Sequence, residues 1–267
     1  MNSVEPLHAW APQAPAPFLP AALPEPTPFV KWAGGKGRLL AQLETLLPHG
    51  VEHMRHVEPF VGGGALFFRR KPARALLADI NAALIDTYIA VRDQVEAVIA
   101  ALHTLAAQHD KDSYYAQRSR YNQDKQGSPA GRAALFIYLN KTCFNGLYRV
   151  NRRGEFNVPV GSYTRPTILN PVALRAASKA LQGIELRPQS FEALIRHAKP
   201  GDFIYFDPPY LPTSTTASFT QYAEHGFDHS AQLRLRDLFF ALDRRGAKLM
   251  LSNSDVPFIR NLYRNFN

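Results

Sequence analysis

Residues 202–210 read DFIYFDPPY, and no other stretch restricts the fold as much. Four consecutive apolar residues, Phe203 to Phe206, suit a strand buried on both faces, as in a parallel sheet covered by helices. The strand cannot run past Asp207, because Pro208 and Pro209 lack the backbone N–H that a ladder needs and each fixes its own φ. A carboxylate is therefore set at the carboxyl end of a buried strand, followed by a stiff turn and Tyr210.

The rest of the chain supplies partners for that strand. RALLADI (74–80), residues 183–187 and AKLMLSN (247–253) read as strands, and VEHMRHVEPF holds a weaker one. Val91, Val95, Val98, Ile99, Leu102 and Leu105 recur at three and four residues, which predicts one helix over 83–108. Helical patterns also occur in GRLLAQLETLLP, at 113–124, at 130–144 and in SAQLRLRDLFFALDRR. Strands alternating with helices at both ends predict an α/β fold with a mainly parallel sheet. The middle of the chain breaks this alternation. The expected division is a catalytic domain over 29–84 and 171–267, with a second, mostly helical domain inserted over 85–170. Residues 1–28 contain eight prolines and read as a disordered, partly extended tail.

Composition narrows the setting. No run of 18 apolar residues predicts a membrane span, and no basic-then-apolar leader opens the chain. Cys143 is the only cysteine of the 267 residues, so no internal disulfide can form and a cytoplasmic protein is expected. The net charge is +9. Residues 1–30 hold two Glu and no Lys or Arg, so residues 31–267 carry 31 minus 20, or +11. That excess points to a polyanionic partner.

Ligands of open parallel sheets sit at the carboxyl ends of the strands, and three stretches fall there. In VEPFVGGGALFF (57–68) a strand ends at Glu58, and Gly62, Gly63 and Gly64 permit close backbone approach. Asp79, at the end of the next strand, is placed to accept hydrogen bonds from ribose hydroxyls. Phe67 stands where a dinucleotide-binding pattern needs glycine, so a nucleoside without pyrophosphate fits better. FVKWAGGKGR (29–38) has Val30 and Gly37 where a phosphate loop needs Gly and Ser or Thr, which excludes triphosphate hydrolysis. Taken alone, Trp32 reads as a core aromatic and Lys36 as a solvated surface charge. The third stretch is the DPPY turn. Asp207 and the Pro208 carbonyl can both accept from one exocyclic amine, and Tyr210 can stack on the ring that bears it, worth about 1–3 kcal/mol. This suits an amine-bearing base turned out of its helix.

WAGGK, VEPFVGGG, LADIN, NGLYRVNRRGEFNVPVG and DPPYLPTSTTASFTQY, in that order, resemble the Dam-type family of DNA adenine N6-methyltransferases. The resemblance implies a Rossmann-like S-adenosylmethionine-dependent sheet and S-adenosylmethionine as methyl donor. By motif position it makes Trp32, Lys36, Asp79 and Asp207 cofactor-binding residues, and its glycine loop places Phe60, Gly62 and Gly64 beside the methionine part. Asp207, Pro208 and Tyr210 then form the catalytic turn. The resemblance also implies that the chain stops before two closing strands, with AKLMLSN left as an edge.

Two short strands, 147–151 and 155–160, flank the turn Arg152-Arg153-Gly154, and such a ribbon can enter the major groove of duplex DNA. Residues 141–165 hold five basic side chains and one acid. Phe144, Asn145, Arg149 and Asn151 are candidate base-reading or bracing residues, while Arg152 and Arg153 suit phosphate. In the family this region and TSTTASFTQY accompany GATC recognition, although Ser162 stands where such relatives often carry arginine. The expected partners are double-stranded DNA and, in a restriction–modification setting, a cognate endonuclease, with the protein a monomer. The competing readings are a DNA- or cofactor-binding remnant without turnover, and methylation of another amine by an NPPY-type enzyme. Cytosine C5 chemistry is disfavoured, because Cys143 lacks the proline–cysteine context of a nucleophile.

Overall fold

The computed structural model describes residues 23–211 and 227–266. Residues 1–22 of the proline-rich stretch, and all of TSTTASFTQY, lie outside the described residues. Residues 23–28 have no regular secondary structure, and burial begins at Phe29 and Val30.

The strands are β1 (His56–Glu58), β2 (Ala75–Asp79), β3 (Glu185–Pro188), β4 (Phe203–Phe206) and β5 (Lys248–Leu251). They form one parallel sheet in the order β3-β2-β1-β4-β5. Among the described residues β3 and β5 are its edges. From β1 the chain moves outward through β2 to β3, then returns to the other flank of β1 as β4 and continues to β5. That reversal opens a crevice beyond the carboxyl ends of β1 and β4, where a ligand of such a sheet binds.

Helices α1 (Leu40–Thr45) and α2 (Ala65–Arg70) cover one face of the sheet, packing Leu43 and Leu66 against Phe203 and Tyr205. Later come α3 (Ala82–Asp93), α4 (Val95–Ala107), α5 (Lys111–Gln123), α6 (Pro129–Thr142) and α7 (Pro171–Leu181). The last helices are α8 (His229–Arg244) and α9 (Pro257–Leu262). Leu235, Leu238, Phe239 and Leu242 of α8 pack on the opposite face, against Val57, Ile204 and Phe206. Side chains of Asn81, Asp110, Ser128, Asn170 and Asp228 cap their helices, with Pro129 and Pro171 in the first turn.

Two expectations need correction. The apolar stripe over 83–108 belongs to two helices, broken at Gln94 (φ −138°, ψ 36°). Both pack on α6, so the stripe continues across the break although the hydrogen-bond ladder does not. The strands expected at 147–151 and 155–160 reduce to a single antiparallel bridge, Val150 to Phe156. Asn151 N still bonds Glu155 O and Asn157 N bonds Arg149 O, Val160 bridges Cys143 instead, and side chains of α5 take other backbone groups of the second segment. Asn122 bonds both the N–H and the C=O of Phe156, at 2.8 and 3.0 Å, and Tyr114 and Arg118 donate to the Val158 carbonyl.

Helix α6 lies at the centre, and Ala133 to Asn140 along it are buried. Asn140 is the polar member of that run. Its amide accepts from Lys31 N at 2.7 Å and donates to Lys31 O at 2.8 Å and Gly146 O at 3.1 Å. One buried side chain thus ties the N-terminal loop to the start of the 144–160 hairpin. Asn140→Ala strands these backbone groups without partners, so we expect unfolding free energy to fall by about 3 kcal/mol. Urea denaturation measures it, and a loss below about 0.5 kcal/mol would show that water replaces the amide.

Candidate functional site

Three loops meet at the crevice. The first follows β1, where Gly62 and Gly64 take left-handed backbone (φ +47° and +67°). A Cβ on Gly62 would lie 2.5 Å from Trp32 Cδ1, and one on Gly64 2.9 Å from the Tyr88 hydroxyl. Only glycine fits either place. The buried Tyr88 hydroxyl donates to Gly62 O at 3.0 Å, and Gly62 N donates to Asp79 Oδ2 at 3.1 Å. Asn81 N donates to the other Asp79 oxygen at 3.0 Å. Burial pushes the Asp79 carboxyl above its ordinary range, and these backbone donors pull against the shift. Phe60 lies on the α8 side, stacked on Phe191 and edge-on to Phe227.

The second loop carries Trp32 and Lys36. Lys36 is 7% exposed, which overturns the surface-charge reading. Its Nζ donates to Gly34 O at 2.6 Å and to Asp207 Oδ2 at 2.7 Å, and lies 2.7 Å from Asp207 Oδ1. Trp32 stacks on Tyr148 of the hairpin, with ring centroids 6.1 Å apart.

The third loop is the turn after β4. Asp207 emerges partly buried, Pro208 is buried, and Tyr210 is 40% exposed with the Lys36 ammonium 4.8 Å above its ring. Desolvation raises the Asp207 pKa and the Lys36 cation opposes it. The Pro209 carbonyl accepts from Gln232, which in turn accepts from Asn253 at 3.0 Å. The Pro208 carbonyl takes no hydrogen bond among the described residues. Sequence reasoning missed Gln232, which is fully buried on α8. Its polarity in a row with Leu235, Phe239 and Leu242 was the available signal. Glu58 ends β1 with 2% exposure.

The hairpin residues divide by what holds them. Asn145 is exposed in a left-handed conformation (φ 53°) beside an exposed Phe144. Arg149 Nε donates to Asn157 Oδ1 at 2.8 Å. Asn151 closes the turn, accepting from the N–H groups of Arg153 and Glu155 and donating to the Glu155 carboxylate. Arg152 and Arg153 are exposed at the tip. Cys143 is buried against Leu147 O, and burial pushes its thiol up to about 11. It stays protonated at neutral pH and is no nucleophile. No helix of the described residues is long and apolar enough to cross a membrane.

A family model described as D12 class N6 adenine-specific DNA methyltransferase matches residues 32–267. The type II methyltransferase M1.LlaDCHI of Lactococcus lactis subsp. cremoris is 41% identical over 247 residues, covering 90% of this chain and 85% of that protein. The type II methyltransferase M.MjaIII of Methanocaldococcus jannaschii is 41% identical over 259 residues, covering 91% of this chain and 90% of its own. The DNA adenine methylase of Escherichia coli is 38% identical over 237 residues, covering 88% and 83%.

The raised Asp207 pKa favours the folded state below the unfolded value, and that contribution is lost as pH rises through the folded pKa. Lys36→Met removes the opposing cation and raises Asp207 further. In carboxyl-carbon NMR the Asp207 resonance should then titrate at higher pH in the variant. An unchanged titration would mean that Lys36 does not govern this carboxylate.

Proposed function

The chain belongs to the D12 class of N6 adenine-specific DNA methyltransferases, and from that premise we propose that it methylates an adenine turned out of duplex DNA at GATC, with S-adenosylmethionine as donor. The observation that carries the reading is the end of β4. Asp207 and the Pro208 carbonyl, which takes no hydrogen bond among the described residues, are adjacent acceptors, the neighbouring carbonyl is occupied by Gln232, and Tyr210 offers an exposed ring.

The crevice fits the proposed cofactor by shape and charge. Gly62 and Gly64 clear a path that a side chain would fill. Asp79 suits ribose hydroxyls, and Lys36, held by Asp207, fixes the turn beside them. When bound, S-adenosylmethionine supplies an electrophilic methyl group on a positively charged sulfur. The adenine amine is a weak nucleophile, because its lone pair is delocalised into the ring. Asp207 and Pro208 O accept its two hydrogens, which holds the lone pair out of conjugation and aims it. Asp207 then receives the proton that the alkylated nitrogen releases. Tyr210 stacks on the displaced base and repays part of the lost base stacking. Positioning and electrostatics supply the acceleration, with no covalent enzyme intermediate.

Residues 85–170 are the proposed target-reading part. Arg152 and Arg153 meet phosphate from the exposed tip, while Phe144, Asn145 and Arg149 face the bases, with Arg149 suited to guanine. Asn151 braces the turn. The GATC assignment rests on the likeness of this segment to the Dam-type recognition region.

The test uses tritiated S-adenosylmethionine and two duplexes that differ only at one GATC. Label should enter the GATC duplex alone, on adenine N6, and Asp207→Ala should lower the rate at least about a thousandfold. Equal labelling of both duplexes would refute the sequence assignment. No label on either, with the donor still bound, would refute turnover.

A further inference from the structure

A row of three polar side chains, two buried and the third half-buried, lies behind the crevice, outside every residue given a role so far. His56 and Glu58 are two apart on β1 and so project to the same face of the sheet, the one that α2 covers. His56 is fully buried and Glu58 is 2% exposed. Arg70, the last residue of α2, approaches His56 Nδ1 with Nη1 at 2.5 Å and donates from Nη2 to Val51 O at 2.8 Å. His56 Nε2 lies 2.6 Å from Glu58 Oε1. A guanidinium has donors only, so Nδ1 must accept, and the ring proton sits on Nε2 and is donated to Glu58. Arg70 thus sets the tautomer of His56, and the tautomer makes Nε2 the donor that holds one Glu58 oxygen. The imidazole is fixed between the rings of Phe67 and Phe203, at 6.4 and 5.6 Å.

For packing alone this row is a poor choice, because apolar residues of similar volume usually serve a buried site as well or better. Its outcome is a carboxylate with one oxygen engaged and the other without a hydrogen bond among the described residues. Glu58 is close enough to Asp207, Tyr205 and Tyr88 for its charge to raise the proton affinity of all three. Glu58 is the last residue of β1, directly before the glycine loop, and Asp207 follows the last residue of the neighbouring β4. Lys36 is already engaged by Asp207. Glu58 and Asp79 are left as acids at the ends of adjacent strands.

We infer that Arg70 and His56 are positioning residues that hold Glu58 with its second oxygen toward the crevice, as counter-charge to the cationic methionyl part of the cofactor. This rests on the proposed cofactor and adds two residues that never touch it. Arg70 acts through His56, and His56 through Glu58.

Affinity for S-adenosylmethionine is measured by calorimetry without DNA, and kcat on the GATC duplex separately. His56→Phe keeps a buried ring and removes both relay atoms. It should weaken S-adenosylmethionine binding by about tenfold, with kcat at saturating donor within about threefold. His56→Gln restores one acceptor and one donor and should recover most of the affinity. Glu58→Gln should match His56→Phe, and the two changes together should cost no more than either alone. S-adenosylhomocysteine, which keeps the ammonium but lacks the sulfonium charge, identifies the cation. Parallel losses for both ligands assign the ammonium, and a loss confined to S-adenosylmethionine assigns the sulfonium. Wild-type affinity in folded Glu58→Gln would overturn the inference, as would equal binding by His56→Phe and His56→Gln. If His56→Phe does not fold, Glu58→Gln and His56→Gln decide the matter. Failure of the wild-type protein to bind the donor would instead refute the proposed cofactor itself.

Discussion

The Lys36–Asp207 ion pair joins residues 171 positions apart, and the shape of the crevice depends on it. An ammonium with only 7% exposure cannot stay charged there without partners. Gly34 O and the Asp207 carboxylate supply them, one from its own loop and one from the end of β4. The sheet fixes Asp207, because Phe203 to Phe206 are locked between β1 and β5. The loop of Lys36 is fixed from the other side, where Asn140 of α6 bonds both backbone groups of Lys31. The pair therefore closes a circuit between the sheet and the central helix, and neither end can shift without leaving a buried charge exposed to a poorly matched environment.

The glycine loop completes the circuit through shape. Trp32 occupies the space where a Cβ of Gly62 would sit, and the same indole stacks on Tyr148 beyond it. The hairpin, the lysine loop and the end of β1 thus share one aromatic side chain. If the hairpin reads DNA as proposed, its position is conveyed to the crevice by packed rings and one amide. No flexible linker intervenes between them.

Legibility in the sequence followed the kind of partner each segment has. β4 and β2 were plain because a central parallel strand needs continuous apolar residues, and both have them. β1 was faint because two of its three residues are His56 and Glu58, polar groups that pair with each other and with Arg70 of α2. No periodicity reports such a contact. Lys36 looked like a surface charge for the same reason, its acceptor being on a distant strand. The hairpin was legible as a turn but not as a structure. Its turn chemistry is local, through Asn151, whereas backbone groups of Phe156 and Val158 are held by Asn122, Tyr114 and Arg118 of α5. Gln94 breaks a helix without proline or glycine, and an apolar stripe that persists on both sides conceals the break. The DPPY turn was readable as the end of β4, because proline restricts the backbone locally. The Gln232 brace was not, since a polar residue on an amphipathic helix ordinarily faces water.

The charges of the molecule act at two ranges. At long range the excess of basic residues, with Arg152 and Arg153 exposed on the hairpin tip, attracts a polyanion. At short range the strand ends present Glu58, Asp79 and Asp207, while Lys36 is already bound to one of them. A phosphate drawn to the rim gains nothing by entering such a crevice. An uncharged base with hydrogens to donate does gain, and so does a ligand carrying positive charge. On the proposed reading, the field that gathers DNA to the surface and the acids that repel its backbone from the interior therefore sort one nucleotide between them.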